Sequence, residues 1–297
     1  IGVPMPMKNV ERGIRACAPL IGRSTSNARQ VAEAIMTTDT RRKEIAVEFK
    51  VGSSTIRIGG ICKGAGMIQP GMATMLGFIT TDAAIESGAL KRALKIAVRQ
   101  SFNRITVDGD MSTNDSVIML ANGLAGNSKS AIRPSLFQEA LNFVCLELAK
   151  MIVRDGEGTS RFVALHLRGA RNDREAEVAA RAIANSSLVR TSWCGGDPNW
   201  GRILCAVGYS KADVDETLVD VGYASPDNSK ILFAFRRGRP TNVALKTLAK
   251  ITSAPEFDLH VDLHRGRGAF VLYAADLTEN YVAFNKGDIT DPATLGG

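Results

Sequence analysis

Histidine, tryptophan and cysteine are scarce in this 297-residue chain, with three, two and five copies respectively, and what they fail to form narrows the chemistry. The cysteines (Cys17, Cys62, Cys145, Cys194 and Cys205) are odd in number and include no CxxC pair. That argues against a disulfide framework or a structural zinc site. It suits a reducing, cytoplasmic location. Cys62, beside Lys63, reads as a buried small hydrophobe rather than a reactive thiol. No run of about 18 apolar residues occurs, so no transmembrane helix and no membrane partner are expected. The chain opens Ile1-Gly2-Val3-Pro4, with neither an initiator methionine nor a charged-then-apolar leader. A natural N-terminus, with any targeting peptide, is therefore expected to lie outside this sequence. Hydrophobic residues make up 45% and charged ones 23%, the balance of a globular protein with a sizeable core in one or two domains.

The histidines form no relay. His260 and His264 are four apart, as in a zinc-binding helix, but Phe257-Asp-Leu-His-Val-Asp-Leu-His264 alternates with period two. This is a strand with Phe257, Leu259, Val261 and Leu263 inward and Asp258, His260, Asp262 and His264 on the solvent face, and no metal is assigned to it. His166 stands alone on another strand. Nothing suggests a Ser–His–Asp relay, which leaves room for a nucleophile that carries its own base.

Charge is uneven. The net charge is +7, and residues 1–73 hold 11 Lys/Arg against 5 Asp/Glu, which is +6 of it. A basic segment can bind nucleic acid. Here the basic residues alternate with apolar and acidic ones and bring no aromatic stacking set, so no nucleic-acid partner is expected. Solvated surface is the simpler reading, and attraction of an anionic substrate the second.

Along the chain, residues 8–20 read as a short helix stopped by Pro19. A second runs from Ser24 or Ser26 to about Met36, with Val31, Ala34 and Ile35 inward. A hairpin follows, with Ile45, Val47 and Phe49 outbound and Ile56 and Ile58 returning around Gly52-Ser53-Ser54. A strand over 77–82, a helix over 87–103 and a compact acidic loop (Asp108, Asp110, Asn114, Asp115) come next. The loop lacks the twelfth-position Glu of a calcium hand and is read as turn chemistry bonded to the site walls. Pro134-Ser135-x-x-Gln138 resembles a capping box and opens the clearest helix, with Phe137, Leu141, Val144, Leu148 and Ile152 on one face. After Glu157 the pattern is a strand over 161–168 and a helix over 173–185. Strands then fall near 217–222, 231–235, 257–264 and 269–274, with a helix over 241–251. The division expected is a core domain at 1–157, a C-terminal α/β domain at 158–280 and a tail at 281–297.

The stretch from Lys63 to Leu76 (KGAGMIQPGMATML) is the centre of this sequence. Gly64-x-Gly66 is not a dinucleotide fingerprint, because Gln69 stands where its third glycine belongs. Small residues here let a backbone come close to something else. Within the stretch, Ala73-Thr74 carries the chemistry. A threonine hydroxyl needs a base beside it. Cutting the chain before Thr74 frees an α-amine of pKa roughly 7.7–8.0 on the same residue. Without further support, Thr74 is an ordinary threonine at the start of a strand.

That support is a resemblance. The Lys63–Leu76 stretch resembles the self-cleavage motif of the ornithine acetyltransferase (glutamate N-acetyltransferase) family. So do Thr37-Thr-Asp-Thr40, Thr106-Val-Asp-Gly-Asp110-x-Ser-Thr-Asn114-Asp115, Asp155-Gly-Glu157-Gly-Thr159, Gly196-Asp-Pro-Asn-Trp200-Gly-Arg202-Ile and Tyr281-Val-x-x-Asn285, all in the family's order. The resemblance implies an α+β protein with a four-layer αββα core like N-terminal-nucleophile hydrolases and a smaller C-terminal α/β domain. It implies cleavage at Ala73-Thr74, with Thr74 the nucleophile of a ping-pong transfer of acetyl from N-acetylornithine to glutamate in arginine biosynthesis. Thr37, Lys63 and Asn285 would hold the substrate backbone, Glu157 its side-chain ammonium, and Thr290 would return to the site. No cofactor is implied, though acetyl-CoA is a conceivable second donor. The cleaved chains would associate as an α2β2 heterotetramer.

There are departures. Gly71 stands where the family has asparagine and Met111 where it has threonine, and seven residues follow Thr290. The family's Thr-Gly oxyanion pair precedes an Ile-Gly like Ile1-Gly2, so about the first quarter of a usual precursor is expected to lie outside this sequence. Two rivals stay open. One is an amidohydrolase or aminopeptidase with the same nucleophile, releasing acyl groups to water and indifferent to glutamate. The other is a basic binding module, with salt-dependent nucleic-acid binding and no processing step.

Overall fold

A computed structural model describes residues 4–69, 75–129, 132–228 and 230–286. In chain order it has α1 (Met7–Cys17), α2 (Thr25–Ala34), β1 (Lys43–Val51), β2 (Ser54–Lys63), β3 (Leu76–Thr81), α3 (Ser87–Gln100), β4 (Ile105–Thr106), β5 (Ser116–Ala121) and α4 (Pro134–Arg154). There follow β6 (Phe162–Ala170), α5 (Asp173–Ala184), α6 (Ser187–Cys194), α7 (Trp200–Gly208), β7 (Asp220–Ala224), β8 (Leu232–Arg236), β9 (Arg239–Pro240), α8 (Leu245–Thr252), β10 (Glu256–Asp262), β11 (Gly268–Ala275) and α9 (Glu279–Asn285). The class is α+β, as expected. None of the described helices is long and apolar enough to cross a membrane.

The strands form two sheets. The first has the order β1-β2-β3-β5, antiparallel except for the parallel β3–β5 pair. The second has the order β4-β11-β6-β10-β7-β8-β9, with β6–β10 and β4–β11 parallel. The long helix α4 packs on β1 and β2 of the first sheet, with α3 alongside. Its buried Leu141, Val144, Leu148 and Ile152 share a core with Ile56 and Ile58, and Phe162, Ala164 and Ala275 of the second sheet reach the same core. The other face of the second sheet buries Val163, Leu165, Leu259 and Val261 against α5, α6, α7 and α8. Ile118 and Leu120 of β5 are exposed.

Local rules account for most boundaries. Ser24 caps α2, with its hydroxyl accepting from the Asn27 N–H and the Asn27 side chain returning to the Ser24 N–H. Asn172, Ser186 and Asn199 cap α5, α6 and α7 more simply, each side chain accepting one backbone N–H. Three sequence expectations need correction. In α2 it is Ala32 that is buried, while Val31 and Ala34 are exposed. Pro134 is itself the first residue of α4, so Ser135 lies inside the first turn and no side-chain cap forms. Gln138 instead donates to the Ala93 carbonyl and to Asn142. The third is α6, which the sequence reading did not separate from its surroundings.

Candidate active site

Sheet register sets up the site. Lys63 ends β2, Leu76 begins β3, and the two are register partners. The intervening segment is therefore a long excursion whose two ends are held side by side. Residues 64–69 and 75 are described; Ala73, Thr74 and Gly71 lie outside the described residues, as does Thr290.

Three carboxylates from two loops, Asp39 before β1 and Asp108 and Asp115 between β4 and β5, hold that excursion by its backbone. Asp39 accepts from Gly64 N–H at 2.7 Å. Asp108 accepts from Met67 N–H at 2.6 Å and Ile68 N–H at 3.0 Å. Asp115 accepts from Met75 N–H at 2.6 Å. The Val107 N–H completes the frame with a 2.8 Å bond to the Ile68 carbonyl. Charge-assisted bonds of this length are the strong ones. They hold an irregular backbone in which Met67, not a glycine, has φ of 54°.

Behind Asp39 lies a buried ion cluster. Lys43 is 1% exposed. Its ammonium donates to Asp39 at 2.6 Å and to Asp155 at 2.5 Å. Asp155 also takes the Thr40 N–H at 3.0 Å and the Thr40 hydroxyl, and Asp39 takes the Thr37 N–H at 3.2 Å. The polar turn 37–40 is thus fixed to the end of α4 and to the glycine stretch at once. Burial raises the Asp39 pKa, but the bonds from Lys43 and from the Gly64 and Thr37 amides outweigh it and hold the carboxyl below its ordinary value.

Two expected substrate groups meet on one side. The Lys63 ammonium donates to the Thr37 hydroxyl at 3.3 Å, with Lys63 buried and Thr37 exposed. Two others meet on a second side. The Asn285 amide donates to Glu157 at 2.9 Å. Glu157 is brought there by its N–H, which bonds the Ala65 carbonyl at 2.9 Å. A Cβ on Gly66 would lie 2.4 Å from the Glu157 carboxyl carbon, so only glycine permits this approach. Both pairs therefore border residues 63–66.

Helix α9 supplies Asn285. Thr278 caps it, accepting from the Tyr281 N–H and donating to the Gly158 carbonyl at 2.7 Å. Tyr281, one turn before Asn285, donates its hydroxyl toward Asp108 at 3.4 Å. Burial, then Asp108 and Asp110, push the Tyr281 phenol up to about 12, so it stays a donor at neutral pH. Burial likewise raises Asp108. Arg190, buried, donates to the carbonyls of Val107, Ala275 and Asp276, tying the acidic loop to β11.

This constellation and the motif order can be set against known proteins. The sequence profile of the ArgJ family matches residues 1–288. The chain belongs to the ArgJ family. It is 44% identical over 288 residues to the arginine biosynthesis bifunctional protein ArgJ of Symbiobacterium thermophilum, covering 96% of this chain and 70% of that protein. It is 46% identical over 293 residues to the glutamate N-acetyltransferase of Methanocaldococcus jannaschii, covering 96% and 71%. The crystal structure of ArgJ from Bacillus halodurans superposes with a TM-score of 0.64 at 38% identity, over 70% of this chain and 96% of that one.

In this ArgJ-family chain the sequence reading named Thr37, Lys63, Glu157 and Asn285, which the structure brings to residues 63–66, and missed most of the groups that hold this stretch. Asp108 and Asp115 were seen only as members of an acidic loop, and Asp39 and Tyr281 only as letters of motifs. The one signal for Tyr281 is its spacing of four from Asn285, which puts both on one helix face. Asp155 stood only as a letter of a motif, and Lys43 and Arg190 gave no signal.

Proposed function

We propose that this chain transfers acetyl from N2-acetylornithine to glutamate through an acetyl-Thr74 intermediate, after the chain cuts itself between Ala73 and Thr74. The observation that carries the reading is the arrangement around residues 63–66. A cation with a hydroxyl (Lys63, Thr37) and a carboxylate with an amide (Glu157, Asn285) border one anchored stretch that leads to Ala73-Thr74. Such a pair of opposite charges suits an α-carboxylate at one end of the substrate and the ornithine ammonium at the other. Thr290 is assigned to the same ligand. The free amine of Thr74 serves as base for its own hydroxyl. Loss of ornithine and entry of glutamate divide one amide exchange into two steps. The arrangement favours a transferase over a hydrolase because both ends of an amino-acid substrate find partners. Acetyl-CoA is kept as an alternative donor.

On this reading residues 1–157 form the catalytic core, 158–280 its support, and 281–297 return to the site, in keeping with the Asn285 and Tyr281 bonds. The cleaved chains pair as α2β2. The five free thiols among the described residues suit a reducing cytoplasm.

The test is mass and turnover together. Denaturing intact-mass analysis is expected to give two fragments that separate at Ala73/Thr74, the second beginning Thr-Met-Leu. Thr74→Ala is expected to leave one uncut chain and to lower transfer by about a thousandfold or more. Deacylation that runs at the same rate with and without glutamate would overturn the transferase assignment in favour of hydrolysis.

A further inference from the structure

The face of the second sheet that meets α4 carries an unusual row, half-buried and not on the open solvent face the alternation suggested. Strands β6 and β10 are parallel, and their register pairs Ala164 with Asp258, His166 with His260 and Arg168 with Asp262. All six share one face, because alternate residues of a strand do. The last pair is an ordinary ion pair, with Arg168 Nε 2.7 Å from Asp262. The other two rows are incomplete. Asp258 has an alanine across from it and no lysine or arginine partner among the described residues; its one ionic neighbour is His166 Nε2, at 3.7 Å. That distance is too long for a hydrogen bond. His166 Nε2 is buried and has no hydrogen-bond partner among the described residues. The His166 and His260 rings stack at 4.6 Å between centroids and 10° between planes. On the far side of His260, Gly222 is its partner on β7, and Ile231 and Phe233 fill the place a Cβ there would take, which makes an apolar wall.

His264 is the informative contrast. Its Nε2 lies 3.0 Å from Asp220 and its Nδ1 3.5 Å from Asp262, so its ring is already matched by carboxylates. The pair expected from spacing alone, His260 with His264, does not meet; the pair that meets is His260 with His166, from another strand.

We propose that His166, Asp258 and His260 form a binding site for one divalent transition-metal ion of the zinc class. One ligand atom from each residue can be chosen so that all lie within 4.8 Å of one another. A tetrahedral ion with bonds of about 2.0–2.2 Å draws its ligand atoms to roughly 3.5 Å apart. Turning one imidazole out of the stack makes up the difference. Two neutral imidazoles and one carboxylate are a donor set such ions favour, and water completes the shell on the exposed side. The ion would clip β6 to β10 in the middle of the sheet. The inference is independent of the acetyl-transfer reading, since none of the three residues belongs to that site.

The test is direct titration of the full chain with zinc chloride near neutral pH after treatment with a chelator, by calorimetry. Cys17 and Cys205 are exposed thiols and would compete, so the background is Cys17→Ser/Cys205→Ser. One zinc ion per chain is expected, with micromolar affinity and a rise in Tm of about 5 °C or more in excess zinc. His166→Asn, His260→Asn and Asp258→Asn are each expected to weaken binding at least tenfold, and His264→Gln to leave it unchanged. His166→Gln serves if His166→Asn does not fold. The absence of zinc binding in the folded parent, or binding that persists in the His166→Asn/His260→Asn variant, overturns the site.

Discussion

Asp39 and Asp108 do the same job at two points of the glycine stretch, in different electrostatic surroundings. Each accepts backbone N–H groups from it, Asp39 from Gly64 and Asp108 from Met67 and Ile68. Asp39 has the Lys43 ammonium at 2.6 Å. Asp108 has no cation hydrogen-bonded to it; its charged neighbours are Asp110 and, without a direct bond, the Arg190 guanidinium, and the Tyr281 hydroxyl lies at 3.4 Å. Burial pushes both carboxyls up; at Asp39 the counter-charge and the amides reverse the sign, and at Asp108 the amides do not. Hydrogen bonding to a backbone is thus only half of what makes a carboxylate an anchor. The other half is a cation bonded directly to it, which offsets its desolvation as Lys43 does for Asp39.

The strongest way to break the comparison is Lys43→Met. It leaves Asp39 and Asp155 buried side by side without their cation. Removing one partner of a buried ion pair costs about 3–5 kcal/mol, because the remaining charge is uncompensated. Urea denaturation is expected to show that loss. Transfer assays are expected to show a raised KM for N-acetylornithine, since Thr37 hangs from Asp39 and bonds Lys63. Unchanged stability would mean that the cluster is hydrated in solution.

A second pair of variants sharpens it. Asp39→Asn and Asp108→Asn each keep the side chain's shape and lose its charge, and each is expected to cost about 1–3 kcal/mol. Their pH dependence is expected to run in opposite directions. Asp39 has a lowered pKa, so its ionic contribution is complete above the unfolded carboxylate value, about 3.9, and is lost as pH falls through the folded value. Asp108 has a raised pKa, so its contribution is greatest below about 3.9 and is lost as pH rises through the folded value. The loss from Asp39→Asn should therefore grow as pH rises across this window, and the loss from Asp108→Asn should shrink. Urea midpoints of wild type and both variants at several acidic pH values decide this; parallel curves would sink the distinction.

Much of the scaffold around these anchors is legible in the sequence. The 257–263 strand is plain because Phe257, Leu259, Val261 and Leu263 all face one core. The α4 helix is plain because its stripe is long enough to outweigh propensity. Short elements are not. Ser187–Cys194 offers only eight residues, two turns, too short for a period to show. In α2 the stripe is weak, and packing selects Ala32 over its larger neighbours. The site divides in the same way. Lys63, Glu157 and Asn285 stand out because the family resemblance gives each a substrate role, whereas the aspartates of the same motifs are given none. Asp39, Asp108 and Asp115 act on backbone N–H groups, which leave no mark on the sequence, and their reach depends on how loops far apart in the chain are brought together. The His166–His260 contact likewise comes from strand register and not from spacing.

The smallest expected effect isolates burial from distance. In α1 the Arg15 guanidinium lies 2.7 Å from Glu11, almost the separation of Lys43 from Asp39, but the two side chains are 77% and 64% exposed. Water and salt screen such a pair, and holding two long side chains in one geometry uses up what attraction remains. Glu11→Gln is therefore expected to leave the urea midpoint and the KM for N-acetylornithine where they are, at low and at high salt. Lys43 and Arg15 are equally close to their carboxylates, so distance alone predicts equal losses for the two clusters. Only the dry surroundings of Lys43 predict a large loss at one and none at the other. A shift from Glu11→Gln as large as that from Asp108→Asn would show that proximity, and not exclusion of water, governs how this chain holds its glycine stretch.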